Sequence, residues 1–235
     1  MAYLRAVVIA ATAGAVFVAA APNANAAATN TVARWEMNEP TGATVMLDSS
    51  GNGRNGIIGS EVKTEWVVDG ATAYHFSWLK PNTPPAHPEH LVTIPDSANV
   101  DPGTGDYAIT LRLRWTHNFG NIIQKGQSNT AGGQFKWQAP SGVVQCLFKG
   151  SAGQRGVGSG RALNDGLWHV IRCERTASAV TMTVDGVVTA RALGPTGNID
   201  NNRPLSIAGK TNCDQITITC DYWPGDIDWV LIESS

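Results

Sequence analysis

The chain has 235 residues, 43% of them hydrophobic and 15% charged, which is enough for one sizeable core and too few charges for a coiled coil. Lysine and arginine total 17 against 19 acidic residues, a formal net charge of −2, and no basic run occurs, so the sequence shows no nucleic-acid surface. The 25 glycines and 12 prolines sit in a varied sequence, which excludes a disordered chain and suits a fold with many turns.

Residues 1–26 carry Arg5, an apolar run over 6–21 and then Ala24-Asn25-Ala26. A cation, a short apolar segment and small residues are the layout of a secretory signal peptide. Cleavage after Ala26 and an extracellular product are therefore expected, with 27–235 as one domain. The run is shorter than the roughly 20 residues that cross a bilayer, so no membrane span is expected.

Strand signals then follow in order. Residues 32–37 contain Trp35 and read as a strand, ending in the turn Asn38-Glu39-Pro40-Thr41-Gly42. After 44–47, the stretch 48–56 (Asp-Ser-Ser-Gly-Asn-Gly-Arg-Asn-Gly) is dense in glycine and side-chain oxygen and reads as a loop. Short strands are expected over 66–68 and 74–78, joined by Asp69-Gly70. Residues 80–90 hold four prolines and read as an extended loop, and the His87, Glu89 and His90 within it lack the helical spacing of a metal motif. Residues 91–94 lead into Pro95-Asp96-Ser97. Ile109, Leu111, Leu113 and Trp115 alternate with Thr110, Arg112 and Arg114, the clearest two-faced strand in the chain, with the arginines outward. Strands over 121–125, 133–138 and 143–148 precede a glycine-rich stretch, 151–160, that reads as a loop. Residues 168–174 and 180–184 form a further pair of strands. The turn Asp185-Gly186 after them supplies the positive φ angles of a two-residue hairpin. Residues 204–209 and 225–233 are the last two strands. Roughly a dozen strands and no long segment of period 3.6 after Ala26 point to two stacked antiparallel sheets.

Cys146, Cys173, Cys213 and Cys220 allow three disulfide pairings in an exported chain. Cys213 and Cys220 bracket a short excursion that a clip would close. Catalytic signatures are missing: no glutamate has an aspartate two places on, which removes the glucanase pattern Glu-x-Asp-x-Glu, and there is no Gly-x-Ser-x-Gly, His-Glu-x-x-His or phosphate loop. Binding is the class left, and indole rings are natural platforms for a sugar's apolar face. Of the eight tryptophans, Trp78, near Pro81, and Trp223, beside Pro224, are expected in loops and are the ligand-binding candidates.

Asp165-Gly-Leu-Trp-His169 followed by Val184-Asp-Gly186 resembles the laminin G-like module of the concanavalin A-like lectin and glucanase superfamily. Trp35 with the stretch 48–53, and Gly225-Asp-Ile-Asp-Trp-Val230, are similar to its opening and closing motifs. The resemblance implies an all-β, two-sheet antiparallel jelly-roll sandwich with the last strand beside the first. It makes Trp35, Trp168 and Trp229 core residues and His169 a packing residue of a central strand. Its meander makes the strands of Cys146 and Cys173 neighbours, so Cys146–Cys173 and Cys213–Cys220 are the expected bridges. It also implies a structural calcium ion shared by Asp48 and Asp228, with Asn52 as a third ligand and backbone oxygens completing a shell of six to eight. The function it implies is a secreted, non-catalytic lectin-like module for carbohydrate or a glycosylated partner, with a protein-adhesion or envelope-structural module as the alternative.

Overall fold

The computed structural model of the chain describes residues 30–211 and 220–235; the signal segment, its cleavage point and Cys213 lie outside the described residues. Sixteen strands are found among the described residues. The first eight are β1 (Asn30–Trp35), β2 (Val45–Met46), β3 (Gly56–Ile58), β4 (Lys63–Val68), β5 (Ala71–Phe76), β6 (Val92–Ile94), β7 (Tyr107–Arg114) and β8 (Asn121–Lys125). The others are β9 (Gln134–Gln138), β10 (Val143–Gly150), β11 (Gly153–Ala162), β12 (His169–Arg175), β13 (Ala179–Val184), β14 (Val187–Leu193), β15 (Leu205–Ile207) and β16 (Gly225–Ser234). They make two sheets, each of eight strands and antiparallel at every pairing. The first runs β14-β13-β12-β7-β16-β5-β4, with β1 also on β16; the second runs β11-β10-β9-β8-β15-β6-β3-β2.

Period-2 patterning decides which side chains meet between the sheets. On β7, Ile109, Leu111 and Leu113 are fully buried, while Arg112 and Arg114 are half-buried on the outer face. Ile171 of β12 and Val230 of β16 lie beside Leu111, and across the sandwich Ile123, Phe135, Phe148 and Ile207 complete the core. Burying each of these large apolar side chains contributes on the order of 2–3 kcal/mol relative to exposure. Cys146 of β10 and Cys173 of β12 are disulfide-bonded, so the bridge links one sheet to the other.

β16 is the pivot of the first sheet. It pairs along one edge with β7, and along the other with β5 at Gly225–Ile227 and with β1 from Val230 onward. The register slips between Ile227 and Trp229, so Asp228 is the extra residue of a bulge at the changeover. The first and last strands are adjacent, as the closing motif implied. Asp185 and Gly186 have φ of 50° and 81°, the positive angles of the two-residue hairpin turn joining β13 to β14.

Two sequence expectations are corrected here. Residues 151–160, read as a loop, are largely β11, because β10 supplies hydrogen bonds from Phe148↔Arg155 to Gln145↔Gly158 that outweigh the poor strand propensity of glycine. Trp168 and Trp229, read as core, are half-buried on the outer face of the first sheet, while Trp35 is fully buried as expected.

Candidate functional site

Asp48, Asn52 and Asp228 occupy the place where the first and last strands meet, but each is engaged by protein groups. Asp48 Oδ1 accepts the backbone N–H of Arg34 and of Ser50, each at 3.0 Å, and its Oδ2 accepts that of Arg54 at 2.9 Å. Asn52 donates through Nδ2 to Thr31 and Val32 carbonyls at 2.8 and 3.1 Å, and Asp228 is ion-paired with Arg112. No group of three His, Cys, Asp or Glu among the described residues is placed to hold a metal. Each carboxylate is committed to N–H groups or to a guanidinium, so a calcium shell of six to eight oxygens would have to displace or share those partners. Asp48 and Asn52 tie the loop over residues 48–56 to β1, and Asp228 joins β16 to β7 through Arg112. Burial opposes the charge on Asp48, yet the N–H groups of Arg34, Ser50 and Arg54 outweigh it and hold the carboxyl below the usual range.

Asp48→Ala should therefore lower stability by about 1–2 kcal/mol, the value of a charged acceptor of several N–H groups at a partly exposed site. Because the folded pKa is depressed, that contribution is present above the unfolded value near 4 and is lost as pH falls through the folded pKa. Denaturant titrations of both proteins at neutral and acid pH should show the gap closing on acidification. Melting midpoints of the unaltered protein in calcium and in EDTA should coincide. A calcium-dependent rise that Asp228→Ala abolishes would overturn this account of the loop.

The tryptophans divide by location. Trp223 is fully buried against Phe76 and Trp115, with ring centroids at 6.3 and 5.8 Å, so it cannot serve as a platform; the proline beside it marks a chain folded under the sheet rather than an open loop. Trp78 is 51% exposed and stacks on His117 at 5.6 Å. On the outer face of the first sheet, Arg112 and Arg114 lie over Trp168 at 4.6 and 5.9 Å, Arg34 over Trp229 at 5.3 Å and Lys63 over Trp66 at 5.3 Å. The guanidiniums there have carboxylate partners: Arg112 with Asp228, Arg114 with Asp69 and Asp226, Arg172 with Glu233 and Glu174. His169 is buried on the other side of β12, its ring nitrogens facing Asp185 at 2.8 Å and Asp165 at 3.2 Å, which fastens the turn before β12 to the β13–β14 hairpin.

The outer face of the second sheet has a different chemistry. Register places Ser206 of β15, Gln124 of β8, Lys136 of β9, Leu147 of β10 and Gly156 of β11 in one row across five strands. The next row is Asn121, Gln138, Gln145 and Gly158. Gln134 opens a third beside Lys149. Amides are thus gathered from three strands. Gln124 is nearly buried and fixed: its Oε1 accepts from Asn121 Nδ2 at 2.9 Å and its Nε2 donates to the Gly126 carbonyl at 2.6 Å. Gln138 donates to Gln145 at 2.7 Å. A planar amide that spends one arm on a neighbour still has a donor and an acceptor to offer.

At one side of this face lies a cleft of about 210 Å³, lined by Gln124, Gln127, Asn129, Arg203, Ser206 and Lys210. A smaller depression of about 100 Å³ shares Gln124, Gln127 and Lys210 and adds Asn121, Lys136 and Asp221. Lys210 is paired with Asp221 at 2.8 Å. Burial pulls the half-buried Lys136 ammonium below the ordinary lysine pKa, with Asp221 opposing the shift. Sequence reasoning missed this site. Gln134-Phe-Lys-Trp-Gln138, alternating polar side chains with buried aromatics, was its local signal.

The fold is a two-sheet antiparallel jelly-roll sandwich. Residues 127–219 match the family model described as Laminin G domain, and the two antiparallel sheets form a sandwich of the laminin G-like jelly-roll kind. Among solved structures it is similar to the binding domain of Paraclostridial Mosquitocidal Protein 1 (TM-score 0.59, 12% identity, 87% of this chain and 48% of that one). It is also similar to the receptor binding domain of botulinum neurotoxin D (TM-score 0.56, 9% identity, 87% and 48%). A third is a botulinum neurotoxin type C structure, described as showing cell entry dependent on two ganglioside molecules (TM-score 0.57, 9% identity, 87% and 46%). The chain spans about half the length of these solved chains, and at such identity the likeness concerns the fold. No curated protein sequence matches it.

Proposed function

We propose that the chain is a secreted, non-catalytic glycan-binding module whose site is the amide-rich outer face of the second sheet. The observation that carries this is the gathering of Asn121, Gln124, Gln134, Gln138 and Gln145 from three strands beside the cleft. Sugar hydroxyls are paired donors and acceptors, and fixed amides match them while adding no charge. The interaction with gangliosides ascribed to the botulinum type C protein is in keeping with a sugar ligand on this kind of fold. Among the described residues Asp221 is the one carboxylate lining the two depressions, whereas glycosidic hydrolysis calls for a pair. The oxidised Cys146–Cys173 bridge and the signal-like N-terminus support export.

A glycan array probed with the protein spanning residues 27–235 tests the reading. Binding should appear, and both Lys136→Ala and the surface pair Gln138→Ala with Gln145→Ala should weaken it about tenfold, the worth of one or two hydrogen bonds. Melting curves of the variants guard against simple unfolding. A blank array, or variants that bind unchanged, would overturn it. The arginine-on-tryptophan face of the first sheet favours a second reading, a protein partner, since tryptophan and arginine dominate interface hot spots. Under that reading the array stays blank and Trp168→Ala abolishes capture of the partner.

A further inference from the structure

The amide rows do not stop at the cleft. They run on to β11, where the outward positions beside Leu147 and Gln145 are Gly156 and Gly158. Together with Val143, Leu147 and the Gln138–Gln145 pair these glycines floor a second, shallower depression of about 270 Å³. The fold does not demand glycine at either place. Neither residue has a positive φ. A Cβ at Gly158 would meet its nearest neighbour, the Val144 carbonyl oxygen, at 3.5 Å, an ordinary contact, and one at Gly156 would meet the Cys146 carbonyl oxygen at 3.3 Å. Glycine inside a strand weakens it and marks a bulge, a tight bend or a close approach to the backbone; Gly158 borders the register shift between Val143 and Gln145, whereas Gly156 lies in regular register and is left to the third cause.

Length and chemistry then restrict what approaches. From Ser206 to Gly156 the row crosses four strand spacings, ~19 Å, longer than one sugar ring. The shelf itself offers two amides, aliphatic carbon and bare backbone, with no charged side chain in its lining. At the other end the Lys210 charge is met by Asp221.

We propose that the ligand is a linear, uncharged polysaccharide lying across β8 to β11, with one end in the cleft and later sugars flat on the Gly156–Gly158 shelf. The inference rests on the glycan-binding reading of the same face. Isothermal titration with cello-, xylo- and manno-oligosaccharides of increasing length tests it. For at least one series the affinity should rise by about tenfold or more between disaccharide and tetrasaccharide, then level off. Gly158→Val, a β-branched residue suited to a strand, should remove that rise in a protein whose melting midpoint shows it folded. Gly156→Ala should reduce the rise in part. Short sugars that bind without gaining from length, or a gain that survives Gly158→Val, overturn the shelf and leave the cleft reading standing. Silence from all three series also overturns the linear uncharged ligand, and only a blank glycan array in addition takes the cleft reading with it.

Discussion

Loss of the Cys146–Cys173 bridge is expected to lower the free energy of unfolding by about 3–4 kcal/mol, because a closed loop of this size removes that much freedom from the unfolded chain. The bridge spans 27 residues and joins β10 of one sheet to β12 of the other. Both cysteines are buried, at 1% and 0% exposure, so a reductant reaches the bond only when the sandwich opens. Two measurements follow from that geometry. The Cys146→Ala, Cys173→Ala double variant should unfold at markedly lower urea concentration than the oxidised protein, with the slope rising because its unfolded state is less compact. The oxidised protein in native buffer should meanwhile resist dithiothreitol, losing the bond at a rate that tracks global unfolding. Equal urea midpoints for the two proteins, or rapid reduction without denaturant, would contradict the placement of this bridge between the sheets.

The features legible in the sequence were those written in a single strand or turn. Alternation from Ile109 to Trp115 marked β7, and Asp185-Gly186 marked its hairpin, because each depends on side chains a few residues apart. Features that depend on pairing were not legible. β11 has four glycines in its span and became a strand because β10 lies beside it. Trp168 alternates with Val170, and apolar residues on both sides of β12 hid which side faced outward; the fold turned His169 inward and left Trp168 under Arg112. The role of Asp48 was carried over from a resemblance, while the N–H groups of Arg34 and Arg54 that occupy its carboxylate come together only once β1 and its loop have folded. The amide face was hidden for the same reason. Gln124, Lys136, Leu147 and Gly156 are scattered over 33 positions of sequence and become one row only through the registers of three strand pairs.

Register also places one buried cation where its loss should cost stability. Arg175 ends β12, is 2% exposed, and is placed by pairing with Tyr107 at the end of the sandwich where two loops return. Its guanidinium donates to the carbonyls of Gly103 and Gly197 at 3.1 Å each, of Pro102 at 2.8 Å and of Gly105. Burial pulls its pKa below the ordinary arginine value, with Asp106 and Tyr107 opposing the shift, and no carboxylate is within ion-pairing distance of it among the described residues. The side chain is thus a peg for the loop from Pro102 to Gly105 and for Gly197, holding together the bridge between Gly103 and Ile199. Arg175→Met fills similar space but takes the guanidinium donor from the Pro102, Gly105 and Gly197 carbonyls in a buried site, while the Gly103 carbonyl keeps the Ile199 N–H, so it should cost about 3–5 kcal/mol. Arg175→Lys keeps the charge but offers three donors from one point instead of a planar fork, and should fall between the two. Urea titrations rank the three proteins, and hydrogen exchange shows whether the amides of Gly103 and Ile199 lose protection first. A methionine variant within about 1 kcal/mol of the original, with those amides still protected, would show that the loops hold themselves and that the arginine merely fills the gap between them.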